Sequence, residues 1–176
     1  MAYNDLPEEA RVQIGKETQP LPSPVAVEQA HIDHWLEVFE DANPVYWDEE
    51  YAKKSRYHGL IAPPAMMLSL TMPFKWTAHG GHTDPTDENI QRGTYFKMKR
   101  LLGYTNTIVG NSRIEWYLPL RLGDKFSSYE VVRDVSSLKK TRLGTGRFWT
   151  TDLILKNQHD KVVGKQSWTS FGYNTD

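Results

Sequence analysis

The chain has 176 residues, enough for one domain or for one domain with a long insertion. Hydrophobic residues make up 39% of it, so it can build a core, and a formal net charge of −1 with acids and bases interspersed leaves no footprint for nucleic acid or an anionic membrane surface. There is no cysteine, which excludes disulfides, thiol nucleophiles and thiolate metal sites, and no apolar run approaches the ~20 residues that a membrane span needs.

The first residues, MAYNDLPEEARVQIG, contain no basic stretch followed by an apolar one and do not read as a secretory signal, so a cytoplasmic location is expected. Residues 18–24, TQPLPSP, form a Pro-rich connector through which no helix runs. Residues 1–24 are therefore set apart as an N-terminal segment, and 25–176 as a single domain.

From Glu28 to Glu40 the spacing of Ile32, Trp35, Leu36 and Phe39 at i, i+3, i+4, i+7 predicts an amphipathic helix. His31 and His34 lie three apart on it, but no third ligand stands at a suitable spacing, and no metal site is expected. The helix must stop near Ala42, because Asn43-Pro44 follows and a residue before Pro is pushed out of the α region. A short helix is predicted over Glu49–Arg56, then a turn at His58-Gly59. Leu60-Ile61-Ala62 leads into Pro63-Pro64, and the nearly wholly apolar run Ala65–Met72 reads as a buried helix opening at about Pro64.

Residues 73–104 read as an irregular insertion rich in Gly, Pro, Asp and Thr, and Lys75–Arg92 within it as either surface or the lid of a pocket. The last third is β. Strands are predicted at Thr107–Leu118, Phe126–Val135, Gly146–Lys156 and Val162–Tyr173, with Trp149, Thr151, Leu153 and Leu155 on one face of the third. The architecture this implies is α+β, an antiparallel sheet wrapped around a buried helix, with a second helix outside it.

The stretch DANPVYWDEE, Asp41 to Glu50, follows an amphipathic helix and precedes GLIAPP (Gly59 to Pro64) and LPLRLGD (Leu118 to Asp124). In this order the motifs resemble the MaoC-like, FAS1-like dehydratase family, which includes the R-specific enoyl-CoA hydratases and has the hot-dog fold. The resemblance covers about Val25 to Tyr173. It implies a lyase of lipid metabolism that adds water across the double bond of an enoyl thioester. Its substrate arrives as a CoA thioester, with no other cofactor. An Asp and a His two residues past the Pro activate the water, an Asn orients them, and backbone N–H groups at the start of the buried helix hold the thioester oxygen. A general base needs a pKa near working pH, which suits His, and a helix start offers unpaired donors to the oxyanion.

Carried onto this chain, the resemblance points to Asp41, Asn43 and Tyr46 as the reacting wall, with His58 as a replacement base. Gly59, Ala62, Ala65 and Met66 are then the substrate-binding residues. Two departures stand out. Tyr46 occupies the His position, and a phenol with an ordinary pKa of about 10 is a poor base. Pro64 has no N–H to offer where the hydratases often carry Gly. Both departures resemble the N-terminal or non-catalytic half of two-part dehydratases, in which one hot-dog unit carries the Asp and His and the other shapes the acyl tunnel. The expected function is a subunit of an enoyl-CoA hydratase or dehydratase paired with a second hot-dog chain or domain. Two alternatives are a homodimeric hydratase using Asp41 and a non-catalytic acyl-thioester-binding protein. For Asp41 the plainer reading is a residue that caps the Asn-Pro turn.

Overall fold

Period-two alternation does in the structure what it demands in a strand: Trp149, Thr151, Leu153 and Leu155 face one side and are all buried there. The computed structural model of the chain describes residues 3–84, 87, 90 and 92–175. In chain order they form α1 (Glu8–Arg11), β1 (Leu21–Pro22), α2 (Gln29–Phe39), a 3₁₀ turn (Pro44–Tyr46), α3 (Glu49–Lys54) and β2 (Ile61–Ala62). A second 3₁₀ turn (Pro64–Met66) runs straight into α4 (Met67–Leu70) and is followed by the small hairpin β3 (Trp76–Thr77) and β4 (Gly81–His82), then α5 (Gly93–Leu101). The sheet-building half holds β5 (Asn106–Trp116), β6 (Leu120–Arg121), β7 (Phe126–Val135), β8 (Lys139–Thr141), β9 (Gly144–Asn157) and β10 (Val162–Asn174).

The main sheet runs β1-β7-β9-β10-β5, with β8 folded back on β9, and its strand pairs are antiparallel. Its inner face carries Ser128, Glu130 and Val132 from β7, the four residues above from β9, and Gln166, Trp168 and Ser170 from β10. Its outer face mixes apolar side chains, Val131, Ile154 and Phe171, with a polar set in which Asp152 is held by Arg133 Nε at 2.7 Å and Ser167 Oγ at 2.5 Å and Lys165 reaches Glu115 at 2.9 Å.

Two helical layers cover the inner face, each with its own core. Over one end, Met66, Met67 and Leu70 pack with Ile32, Ile61, Leu120, Leu155 and Val163. Over the other, Met98 of α5 packs with Leu6, Ala10, Val132, Val135 and Trp149. The buried helix expected over Ala65–Met72 is therefore shorter than its apolar run. It ends at Leu70 because the Thr71 hydroxyl donates back to the carbonyls of Met67 and Leu68 (3.0 and 3.1 Å) and Pro73 cannot continue a helix. Met72 is exposed as a result. The stretch 73–104, read from sequence as irregular, contains α5. Its buried Met98 and half-buried Tyr95 and Leu101 supply an apolar face that Gly, Lys and Arg neighbours mask in the sequence.

Helix α2 matches its predicted stripe at Ile32, Trp35 and Leu36, which meet the first core. Phe39 is exposed, its ring tilted against Trp35 with centroids 4.3 Å apart. The helix stops where Glu40 turns left-handed (φ 51°) and the Asp41 N–H donates to the Leu36 carbonyl.

Residues 3–24 lie against the sheet. Buried Arg147 donates to the Asp5 carboxylate at 2.8 Å and to the Ser136 carbonyl at 2.9 Å. The N–H groups of Gly15 and Thr18 donate to the Val132 and Glu130 carbonyls, and β1 pairs with β7. The β7 edge is thus covered. At the opposite edge, among the described residues, no strand lies beyond β5.

Gly164 lets α4 approach the sheet. A Cβ there would press into Met67 Sδ and come within 2.9 Å of the Glu115 carbonyl oxygen. Gly164→Ala is expected to cost about 1–3 kcal/mol through this overpacking, read as a lowered midpoint in denaturant unfolding.

Candidate functional site

The Asn-Pro turn is built before it is anything else. The Asp41 carboxylate accepts the Asn43 N–H at 3.1 Å, and the Asn43 side-chain oxygen accepts the Val45 N–H at 3.3 Å, which starts the 3₁₀ turn with Pro44 at its first position. Asp48 then accepts the Tyr51 N–H at 3.0 Å and starts α3. This turn carries Tyr46 into the core, where it packs with Val45, Ala52, Ile61 and Ala62.

Asp41, Asn43 and Tyr46 do come together, and Tyr57 joins them. Burial, and after it the Asp41 charge, push the Tyr46 phenol above its ordinary value, with the Asn43 amide pulling the other way and Tyr57 adding to the rise. The phenol is therefore protonated at neutral pH. It can donate a hydrogen bond but cannot take a proton from water. His58 stands apart. It is exposed in a left-handed turn (φ 55°), and among the described residues it shares no hydrogen bond or ion pair with Asp41, Asn43 or Tyr46.

The expected substrate-binding residues follow along the next segment. Gly59 adopts φ +152° beside the Arg121 guanidinium, whose Nη2 donates to the Tyr57 carbonyl at 2.8 Å. Ala62 is fully buried in β2, paired with Leu120 of β6. The LPLRLGD turn locks this pair in place: the Asp124 carboxylate accepts the Arg121 N–H, and the Gly123 N–H donates to the Val27 carbonyl. At the start of the second 3₁₀ turn, the Met66 N–H donates to the Pro63 carbonyl at 2.9 Å and Met67 to Pro64. The Met66 N–H is engaged within the turn, and its side chain is buried in the core. The N–H of exposed Ala65 has no acceptor among the described residues and remains the one donor that Pro64 leaves at this turn.

A cavity of about 350 Å³ lies between α5, the segment Met72–Lys75 that follows α4, and strands β5 and β10. Trp168 and Val109 of the sheet line it, with Tyr95 and Phe96 of α5, Met72 to Lys75, Thr83, Ile90 and Arg92. Met72 and Phe74 also line a second cavity, which runs under α2 past Trp35 and Phe39. The sequence marks Trp35 and Phe39 as a helix stripe and Lys75–Arg92 as surface or lid, but does not bring these residues together. Trp168 was visible only as one ring in a strand, and Arg92 lay in a stretch with no periodicity. Among the described residues no group of His, Asp and Glu could hold a metal ion, and no helix is long and apolar enough to cross a membrane.

Compared with known proteins, residues 12–166 match the family model described as FAS1-like, dehydratase domain region. The chain is 36% identical over 140 residues to the probable enoyl-CoA hydratase alpha subunit of Thermomonospora curvata, covering 78% of this chain and 42% of that protein. It is 29% identical over 143 residues to the 3-oxo-4,17-pregnadiene-20-carboxyl-CoA hydratase alpha subunit of Mycobacterium tuberculosis, covering 81% of this chain and 43% of that one. The chain thus spans about two fifths of the length of these curated relatives. Among solved structures, a chain of the ChsH1-ChsH2 complex from Mycobacterium tuberculosis superposes with a TM-score of 0.77 at 25% identity, over 95% of this chain and 89% of that one. The MaoC-like dehydratase from Rhodospirillum rubrum gives 0.62 at 20% identity, over 100% and 99%. The fold is the hot-dog expected from the sequence.

On the inner face, Glu130 is buried and accepts the Thr94 N–H at 3.0 Å. Burial raises its carboxyl above the ordinary value, against the pull of Thr94 and of the Arg92 charge. The folded state therefore holds this proton more tightly than the unfolded chain does. The resulting stability is full below the unfolded value of about 4.3 and is lost as pH rises through the folded one. Glu130→Gln removes that loss. In thermal melts the variant is expected to gain on the parent between pH 4.5 and 8, and a gap that stays constant or shrinks would contradict the burial argument.

Proposed function

The chain belongs to the FAS1-like dehydratase-region family, and on that premise we propose that it is one hot-dog unit of an enoyl-CoA hydratase or dehydratase whose second unit carries the base. The observation that carries this reading is the state of the Asn-Pro turn. Its carboxylate is engaged with the Asn43 N–H, and the position two residues past the proline holds a phenol kept protonated by burial. A water-adding site needs a group that accepts a proton near neutral pH, and proton transfer of that kind is worth ~10²–10⁴-fold in rate. The similarity to two alpha subunits of hydratases supports the same division of labour.

In this role the chain contributes shape more than chemistry. The apolar cavity beside α5 receives the acyl group. The Ala65 N–H, at the start of a helical turn, donates to the thioester oxygen as charge builds there in the transition state. The second unit, a distinct chain or domain or a copy of this one, pairs along β5. That strand presents eleven residues of open edge and exposes Ile108, Val109 and Ile114, whereas the opposite edge is covered by the N-terminal segment. An uncovered edge of this length invites another strand. An acyl-CoA substrate accords with a cytoplasmic location for this enzyme.

Two measurements test the reading. Sedimentation of the purified chain at micromolar concentration is expected to show a dimer or larger species, and a stable monomer counts against the β5 pairing. Loss of the enoyl-thioester absorbance of crotonyl-CoA and longer esters is expected to stay near background for the chain alone. It should appear with a co-purified second hot-dog unit and respond little to Asp41→Asn in this chain. Fast turnover by the chain alone, abolished by Asp41→Asn, would instead establish the homodimeric hydratase. Tyr46→His is expected to raise the activity of the lone chain if the remaining groups are in place.

A further inference from the structure

The cavity beside α5 has a neighbour. A second cavity, of about 370 Å³, lies under α2 and is walled by Trp35, Val38, Phe39, Met66 and Leu70. Met72 and Phe74 line both cavities and so stand at the boundary between them. Val38 and Phe39 are exposed, although they belong to a helix whose Ile32, Trp35 and Leu36 reach the first core. The second cavity is therefore an apolar trough, and it begins where the first one ends.

The two boundary side chains are held differently. Met72 is tied down: its sulfur accepts Arg92 Nη1 at 3.1 Å, and that guanidinium lies 5.0 Å from the centroid of the Trp168 ring. Phe74 is held by its backbone. Pro73 stiffens the chain before it, and the Phe74 carbonyl accepts the Thr83 hydroxyl at 2.6 Å. Its ring is exposed, belongs to neither core and pairs with no other aromatic ring among the described residues. An exposed side chain of this kind changes rotamer within picoseconds to nanoseconds. Phe74 yields to a ligand where Met72 does not.

We propose that Phe74 is a specificity-determining gate that sets the length of chain the protein accepts. A ligand that fits the first cavity ends against the Phe74 ring. A longer, unbranched apolar chain turns the ring aside and runs on under α2, against Trp35, Val38 and Leu70. The placement of the acyl group in the first cavity rests on the function proposed above. The chain that passes is slender because only one of the two boundary side chains is free to move. Displacing the ring is offset by burial, since each methylene taken out of water is worth about fourfold in affinity.

A series of straight-chain primary alcohols, from hexanol to tetradecanol, tests this without a thioester. Each is titrated into the full chain and followed by tryptophan fluorescence, with Phe74→Trp and Val38→Asp beside the parent. Val38 lines the second cavity and not the first. Short alcohols are expected to bind all three proteins alike. In the parent the affinity keeps rising by about fourfold per methylene into the long members. In Phe74→Trp the rise stops once the first cavity is full. In Val38→Asp the long alcohols lose at least about tenfold, the worth of two methylenes, and the short ones lose nothing. Length profiles that coincide in the three proteins overturn the proposal, as does a Val38→Asp loss that is equal for short and long alcohols. If a partner unit covers the trough instead, Val38→Asp lowers the sedimentation coefficient and leaves the length profile unchanged, which overturns it too. Val38 is exposed on α2, so its variant keeps the test decisive even if Phe74→Trp fails to fold. No probe carries CoA, and crotonyl-CoA is too short to reach the gate, so failure here leaves the hydratase reading to its own assay.

Discussion

The structure turns on one stop signal in the middle of the chain. Thr71 directs its hydroxyl back onto the carbonyls of Met67 and Leu68, and Pro73 has no N–H to offer a further turn. A helix that would otherwise run the length of the sheet ends after Leu70. The chain then leaves the sheet, makes the β3-β4 hairpin, and returns as α5 from Gly93. The inner face is therefore covered in two pieces, each with its own core, and the space between them is the cavity. A continuous helix of Leu and Met would fill that space with side chains at crystal-like density and leave nothing for a ligand.

The sheet adapts to the interruption. Gly164 admits Met67 close to β10 under the first piece. Under the second, Gly172 accepts the rings of Tyr104 and Trp149, where a Cβ would collide with both. Part of the inner face is polar: Glu130, Thr151, Gln166 and Ser170 are buried there, and each has a side-chain atom without a partner among the described residues. A sealed apolar core seldom keeps such groups.

Much of this was legible in the sequence, for reasons of period and punctuation. The four long strands follow from β-branched and aromatic runs bounded by turns, and β7 runs over Phe126–Val135, as the pattern predicts. Ile32, Trp35 and Leu36 announce α2 because one face of a surface helix must be apolar. The Asn-Pro turn announces itself because few residues can occupy it. What stayed hidden depends on distance or geometry. α5 carries its apolar face within GTYFKMKRL, where the lysines and arginine dilute the stripe. Its start lacks a capping side chain, with Arg92 in a left-handed turn instead. The loss of the Met66 N–H to the Pro63 carbonyl follows from 3₁₀ rather than α geometry, which two prolines suggest but do not decide. The cavity joins Met72, Arg92 and Trp168 across the length of the chain, and no local pattern could assemble them.

The replacement of a base by Tyr46 fits this division better than simple decay would. A catalytic His needs a hydrogen-bonded, partly hydrated setting to hold a pKa near neutrality. Tyr46 instead sits among Val45, Ala52, Ile61 and Ala62, and its backbone carbonyl accepts from Gln29 of α2 at 3.3 Å. The turn from Asp41 to Tyr46 is a strut that joins α2, α3 and β2. A strut can be packed tightly because nothing must enter it. When two similar units share one reaction, the unit freed from proton transfer can put rigid packing where its partner keeps a reactive pair, and can open its own helix layer to a larger ligand. On the function proposed above, the short α4 and the tightly packed Asn-Pro turn have one cause: a unit that transfers no proton can be shaped by packing alone.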